Sequence, residues 1–172
     1  MDQKVAIITG ISGQDGSYLA EFLLEKGYKV VGIIRRASHP NTARIDHLFK
    51  KYEEEVTHTG QLVVLYADLS DASSMRKIIS KYKPDELYNL AAQSHVGISF
   101  DNAISTFNYN TLGTIRILEA LIELKPDCKF YQASSSEMFG ISPPPQNENT
   151  PMLPQSPYGI SKLASYHTTL LY

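Results

Sequence analysis

The chain has 172 residues, with 16 Lys and Arg against 18 Asp and Glu and a formal net charge of −2. A chain of this length can form one domain with a substantial core. The near balance of charge argues against a nucleic-acid-binding protein and against a partner on an anionic membrane surface. The single cysteine excludes an intrachain disulfide, and the five histidines lack metal-ligand spacing, so no metal site is predicted.

The first apolar run ends at Gly10 and is too short for a signal peptide or a membrane span. Together with the lack of disulfides, this predicts a cytoplasmic protein with no membrane partner.

Short apolar runs alternate with helical stretches along the chain. Strands are predicted at 5–8, 30–34, 62–65, 86–90 and 130–131, where the apolar runs are typical of strands buried on both faces. Helices are predicted at 17–26, 73–82 and 110–124 and from 157 onwards, because apolar residues recur at helical spacing and Gly or Pro follows the first three. This alternation predicts an α/β fold with a doubly wound parallel sheet.

Two segments interrupt the alternation. Residues 39–59 are polar and include Glu53, Glu54 and Glu55, which predicts a solvated excursion after the second strand. Residues 141–156 are rich in proline, which predicts an extended loop.

Gly10, Gly13 and Gly16 connect the first strand to the first helix. Glycines at this junction allow a tight turn, let backbone N–H groups approach a pyrophosphate, and let the helix pack closely. The spacing therefore predicts a dinucleotide site, although ordinary turn glycines are the alternative. Since the chain ends inside the last predicted helix, we expect residues 1–172 to be an incomplete Rossmann-type domain without its substrate-binding domain.

The end of the second strand bears on the choice of cofactor. An acidic residue there would bind the ribose 2′-hydroxyl of NAD, whereas arginine accommodates the 2′-phosphate of NADP. Arg35 and Arg36 occupy this position, so NADP is predicted, with a solvated pair as the alternative. Asp68 is placed to meet the adenine, or to cap the next helix.

Tyr158 and Lys162 lie four residues apart on the last predicted helix, and therefore on one face. A lysine ammonium near a phenol stabilises the phenolate, so Tyr158 can take a proton from a sugar hydroxyl. Two unrelated surface residues are the alternative.

The motifs TGISGQDG, RRASHPNTARIDHLF, NLAAQSHVGISF, YQASSSEMFG and SPYGISK, in this order, resemble the extended short-chain dehydrogenase/reductase superfamily. Within it, the chain is most similar to the GDP-mannose 4,6-dehydratase family. The resemblance implies a Rossmann fold, tightly held NADP, and a homo-oligomer, a dimer or tetramer. In such oligomers, the loop after the second strand reaches towards a neighbouring subunit.

The resemblance also implies the site residues. Those implied to be catalytic are Ser135, Glu137, Tyr158 and Lys162. Those implied to line the cofactor are Gly10, Ile11, Gly13, Gln14, Asp15, Gly16, Arg35, Arg36, Ser38, Asp68, Leu69, Leu90, Ala91, Ala92, Gln93, Ser94, Tyr158 and Lys162.

Glu137 separates the reactions that this superfamily implies. A 4-epimerase or 4-ketoreductase needs only Ser, Tyr and Lys. A 4,6-dehydratase oxidises C4 of GDP-mannose, eliminates water across C5 and C6 and returns hydride to C6; Glu137 would be the base at C5. We expect its carboxylate to be partly desolvated, which favours the protonated form; a solvated loop glutamate is the alternative.

Other interpretations remain open. The chain could act as a nucleotide-sugar epimerase or ketoreductase, or bind a cofactor without turnover, and UDP-, CDP- or dTDP-glucose are alternative substrates. Two positions depart from the family's pattern: Ser135 stands where the family usually has threonine, and Ser105 stands where a cofactor-contacting tyrosine is expected. His95 either lies near the sugar or is satisfied by the loop backbone.

Overall fold

The computed structural model describes residues 3–52 and 60–172. Its centre is a five-stranded parallel sheet in the order β3-β2-β1-β4-β5. The strands are β1 (Val5–Thr9), β2 (Lys29–Ile34), β3 (Leu62–Tyr66), β4 (Glu86–Asn89) and β5 (Lys129–Gln132). The predicted doubly wound parallel sheet is therefore confirmed.

Helices connect successive strands and cover both faces of the sheet. They are α1 (Gln14–Glu25), α2 (Asp46–Tyr52), α3 (Ala72–Tyr82), α4 (Val96–Asp101), α5 (Ala103–Phe107), α6 (Gly113–Leu124) and α7 (Pro157–Leu171). A π-helical turn, Asn108–Leu112, joins α5 to α6, so this helical segment begins earlier than predicted. Within the described ranges, no helix is long and apolar enough to cross a membrane.

Alternate residues of β1 point to opposite faces of the sheet and enter two separate cores. Ile7 packs with apolar residues of α3 and α6, whereas Ala6 and Ile8 pack with those of α1 and α2. All three side chains are fully buried, as expected for a central parallel strand.

The described part of segment 39–59 does not follow its prediction. Helix α2 lies there, and Ile45 and Leu48 are buried in the same core as the apolar residues of α1. The predicted wholly solvated excursion is therefore wrong, because two apolar residues at helical spacing suffice to anchor a short polar helix. Glu53, Glu54 and Glu55 lie outside the described residues. Segment 141–156, in contrast, contains no helix or strand, and its loop prediction is confirmed.

Polar residues end three neighbouring strands at the carboxyl edge of the sheet. Thr9 pairs with Asn89, and Asn89 pairs with Gln132, so their side chains form one row. The hydroxyl of Thr9 donates to Oδ1 of Asn89 at 2.7 Å, and Nδ2 of Asn89 donates to Oε1 of Gln132 at 2.8 Å. This row, in which Thr9 and Asn89 are buried, fixes the edge from which the site loops leave.

Candidate active site

The turn between β1 and α1 depends on glycine at two positions. Gly10 adopts a φ of +69°, and a Cβ there would lie 3.1 Å from the backbone of Ala91. A Cβ on Gly16 would lie only 2.3 Å from the carbonyl oxygen of Gly10. Gly13 caps α1 without a side-chain hydrogen bond, which leaves the helix N-terminus open to an anion.

A groove of about 570 Å³ opens beside this turn, at the carboxyl ends of the strands. We call it the cofactor groove. Ten of the predicted cofactor residues line it: Gly10, Gly13, Arg35, Asp68, Leu69, Leu90, Ala91, Ala92, Gln93 and Ser94. The structure thus brings together residues from the loops after four different strands, as open α/β sheets do at their ligand sites.

The other predicted cofactor residues do not line the groove. Ile11 is fully buried and its side chain packs against Gly32, whereas Gly16 is buried beneath the turn. Gln14, Asp15, Arg36 and Ser38 are exposed beside the groove, and Tyr158 and Lys162 lie on α7. Cofactor contact by these residues stays a prediction.

Some residues that line the groove escaped the sequence analysis. They include Thr9, Asn41, Ile98 and Asn102. Thr9 had a detectable signal, a polar residue at the end of an apolar strand; its buried hydroxyl accepts bonds from the N–H groups of Leu90 and Ala91, both at 3.1 Å. Ser105, noted as a departure from the family, also lines the groove.

Asp68 does not cap a helix, so that alternative is wrong. The cap of α3 is Asp71, whose carboxylate accepts from the N–H of Ser73. Oδ1 of Asp68 instead accepts from the N–H of Ser70 at 2.8 Å and from its hydroxyl at 2.6 Å. Asp68 therefore keeps its own loop in shape while facing the groove.

Helix α7 begins beside the end of β5 and carries the predicted catalytic pair. The hydroxyl of Ser156 caps its N-terminus by accepting from the N–H of Gly159 at 3.0 Å, and Pro157 opens the first turn. Tyr158 is 8% exposed and Lys162 is 4% exposed. Their spacing of one helical turn places both on one face, as predicted.

Lys162 is a buried cation with a defined partner. Its Nζ donates to the carbonyl oxygen of Ala133, directly after β5, at 2.8 Å. Burial disfavours the charged form and lowers the pKa of Lys162 to about 8. The ammonium is thus held at the carboxyl end of β5 but is easily deprotonated.

Ser135 and Glu137 follow β5 on a single 3-10 turn. Because it carries two of the predicted catalytic residues, we call Ser135–Met138 the catalytic turn. The hydroxyl of Ser135 accepts from the N–H of Glu137 at 3.2 Å and so caps the turn. Met138 is buried, whereas Glu137 points away from the core and is exposed. The expected partial desolvation of Glu137 is therefore wrong, because the buried face of this short turn belongs to Met138.

Gly159 joins the catalytic turn to α7. A Cβ on Gly159 would lie 2.7 Å from the carbonyl oxygen of Glu137 and 3.0 Å from Cβ of Pro154. Only glycine lets the two backbones approach this closely. Glu137 therefore packs on Gly159, the residue that follows Tyr158 in the sequence.

The side chain of His95 is satisfied by the loop backbone, which was the second of its two interpretations. Its Nδ1 accepts from the N–H of Ile98 at 3.2 Å and caps α4. The next turn of that helix reaches the candidate site through Ser99, whose buried hydroxyl accepts from the N–H of Tyr158 at 3.1 Å.

The model of the family described as GDP-mannose 4,6 dehydratase matches residues 7–172. The chain belongs to this family. The resemblance deduced from the sequence motifs is therefore confirmed.

Two relatives show how far this similarity extends. A GDP-mannose 4,6-dehydratase from Vibrio cholerae serotype O1 is 51% identical over 176 aligned residues, which cover 100% of this chain and 46% of the relative. A GDP-mannose 4,6 dehydratase from Cricetulus griseus is 53% identical over 95% of this chain and 44% of its own length. The chain thus spans about half the length of the family members it matches.

A solved structure agrees with the fold. The Bordetella bronchiseptica enzyme WbmH, determined in complex with NAD⁺, superposes with a TM-score of 0.78 at 26% identity, covering 99% of this chain and 53% of that one. Across the part of this chain that the structure describes, no cluster of His, Cys, Asp or Glu is placed to hold a metal ion.

Proposed function

We propose that the full-length protein is a cytoplasmic, NADP-dependent GDP-mannose 4,6-dehydratase, a lyase that forms GDP-4-keto-6-deoxymannose. The supporting observation is the direct packing of the catalytic turn on the first turn of α7 through Gly159. This contact keeps Glu137 beside the helix that carries Tyr158 and Lys162. Residues 1–172 would be its incomplete dinucleotide-binding domain, with the substrate-binding domain elsewhere in the protein.

The cofactor groove fits a dinucleotide. Gly10 and Gly16 leave a cradle that a Cβ would fill, and the uncapped N-terminus of α1 favours a pyrophosphate. The NAD⁺ complex of WbmH supports a nicotinamide dinucleotide. We assign NADP because Arg35 lines the groove at the end of β2, where no acidic residue is present to bind a free 2′-hydroxyl.

Tyr158 and Lys162 would carry the oxidation and reduction steps. The phenolate of Tyr158 takes the proton of the C4 hydroxyl, and the ammonium of Lys162 stabilises that phenolate. Ser135 would donate a hydrogen bond to the C4 oxygen. When bound, the cofactor supplies the hydride acceptor for C4 and the hydride donor for C6.

Glu137 would carry the elimination. Its carboxylate takes the C5 proton, which the C4 ketone acidifies, and the electron pair of the C5–H bond forms the C5–C6 double bond. The C6–O bond breaks, and the carboxyl proton goes to the departing oxygen, so that one water leaves. The double bond then gains hydride at C6 and a proton from solvent at C5, while the proton that Tyr158 took from the C4 hydroxyl is released, so that the net loss is one water.

A 4-epimerase or 4-ketoreductase would leave Glu137 without a role, because neither reaction involves C5. The relatives with 51% and 53% sequence identity are dehydratases, which also favours the dehydratase reaction over the other two. The nucleotide and sugar rest on this family membership. UDP-, CDP- and dTDP-glucose are the substrates to test next.

We also propose a homo-oligomer, a dimer or tetramer. The segment from α5 to α6 exposes Ile104, Leu112 and Ile122, which are 88%, 46% and 52% accessible. Exposed aliphatic side chains along one helical segment favour burial against another surface. The measurement is the molar mass of the full-length protein in solution by light scattering, and a monomer would contradict the proposal.

The activity is tested by incubating the full-length protein with GDP-mannose and NADP and following the nucleotide sugar by mass spectrometry. The expected product has lost one water, with no net formation of NADPH, because hydride leaves C4 and returns at C6. An unchanged sugar mass would contradict the GDP-mannose assignment. Failure with UDP-, CDP- and dTDP-glucose as well would contradict the dehydratase itself.

A further inference from the structure

The loop after β3, Asp68–Ser70, forms one wall of the cofactor groove and rests on the start of α6. Nη1 of Arg116 donates to the carbonyl oxygen of Leu69 at 3.1 Å. The side chain of Leu69 packs against Gly113, where a Cβ would lie 2.9 Å from Cβ of Leu69. The main chain and the side chain of the same loop residue are therefore both fixed by α6.

Arg116 also holds the π-helical turn that precedes α6. Its Nη1 donates to the carbonyl oxygen of Asn108 at 3.1 Å, and its Nη2 donates to Oδ1 of Asn108 at 2.9 Å. The guanidinium plane thus bridges the loop after β3 and the π-helical turn. A planar fork with fixed donors suits this task better than the flexible ammonium of lysine.

The π-helical turn in turn presents Tyr109 to the groove. Tyr109 lines the groove, and its hydroxyl lies 3.5 Å from Oδ2 of Asp68. Oδ1 of Asp68 already accepts two hydrogen bonds from Ser70. Oδ2 is therefore the oxygen that can accept a bond from a ligand in the groove.

We propose that Arg116 is a positioning residue for base recognition: it fixes the loop that carries Asp68, the residue already predicted from the sequence to meet the adenine. This inference rests on the proposed cofactor binding. A carboxylate only accepts hydrogen bonds, so it can pair with the 6-amino group of adenine but not with the C6 oxygen of hypoxanthine. The N1–H donor of hypoxanthine lies one ring position away, and the base would have to shift for it to reach the same carboxylate oxygen. Without Arg116, the loop loses a charge-assisted bond at Leu69, next to the residue that selects the base.

The test measures two dissociation constants of the full-length protein by calorimetry, for NADP and for nicotinamide hypoxanthine dinucleotide phosphate. The wild type is expected to bind the adenine form roughly tenfold or more tightly, the range of one hydrogen bond to a charged group. Arg116→Met should remove most of this ratio by weakening NADP alone. Arg116→Lys, which keeps one donor and the charge, should give an intermediate ratio and covers the case in which Arg116→Met fails to fold.

Arg76→Met is the matched control, because the guanidinium of Arg76 bonds the carboxylate of Glu123 on α6 in the way that Arg116 bonds its loop. It should leave the ratio unchanged. A purely structural role for Arg116 would weaken both dinucleotides equally, and an unchanged ratio in both Arg116 variants would overturn the inference while the proposed function stands. A wild type that binds neither dinucleotide would overturn both.

Discussion

The cofactor groove and the catalytic turn are built in opposite ways. The floor of the groove is continuous with the core, since Thr9 and Asn89 are 0% and 1% exposed and bonded to each other. The catalytic turn carries an exposed Glu137 and is held by the Ser135 cap and by packing on Gly159. The geometry of the groove thus follows from the sheet itself, whereas the position of Glu137, the proposed base, depends on few local contacts.

Lys162 lies between the two regions and gives the largest expected change in stability. Its pKa falls from an ordinary 10.5 to about 8, which corresponds to about 3 kcal/mol. Because the unfolded chain binds the proton more tightly, the free energy of unfolding should rise by this amount between pH 8 and about 10.5. Below pH 8 the cost of the buried charge is fully present.

Lys162→Met should lack this pH-dependent increase. The measurement is urea unfolding of the wild type and the variant at several pH values across that window, with the difference between the two proteins isolating Lys162 from other titrating groups. A constant difference at every pH would mean that the buried lysine titrates normally.

Gly159→Ala should separate the catalytic turn from α7. The added Cβ would lie 2.7 Å from the backbone oxygen of Glu137, so the turn must move. A shift of the turn by about 1 Å lowers kcat by about 100-fold, because the reacting groups lose their alignment. Calorimetry should show an NADP affinity close to that of the wild type, because the groove does not include this contact.

Gly97→Ala is the control for that variant, since its nearest neighbour would be the side-chain ring of His95 at 3.3 Å and not a backbone atom. Its kcat should stay near the wild-type value. Equal losses in the two alanine variants would remove the special role of the Gly159 contact.

Arg35→Ala should affect the groove alone and gives the smallest effect. Loss of a charge-assisted bond to the 2′-phosphate should weaken NADP by roughly tenfold and leave NAD nearly unchanged. Arg44→Ala, at an exposed arginine outside the groove lining, is the matched control. Equal weakening of NADP and NAD would show that the 2′-phosphate lies elsewhere.

The difference between the cofactor groove and the catalytic turn also explains which features could be predicted from the sequence. Strand runs and the glycine turn have local signatures, because a buried parallel strand and a tight turn each restrict residue type. Tyr158 and Lys162 followed from helical spacing. Helix α2 was missed because the buried Ile45 and Leu48 are surrounded by polar residues.

Tertiary contacts account for the other differences. The π-helical turn that brings Tyr109 to the groove depends on bonds from Arg116, eight residues beyond Asn108. The exposure of Glu137 depends on which side of a three-residue turn meets the core. Neither property has a periodicity that a sequence pattern could show.

The most direct test of the division between Tyr158 and Glu137 is a single-turnover reaction of Glu137→Gln with GDP-mannose, followed by NADPH absorbance and mass spectrometry. Glu148→Gln, at an exposed loop glutamate, is the control and should behave as the wild type. We predict that Glu137→Gln forms NADPH and a 4-keto sugar that retains its C6 oxygen, with water loss slowed by about 10²–10⁴-fold. Water loss at the wild-type rate would contradict the assignment of Glu137 as the base.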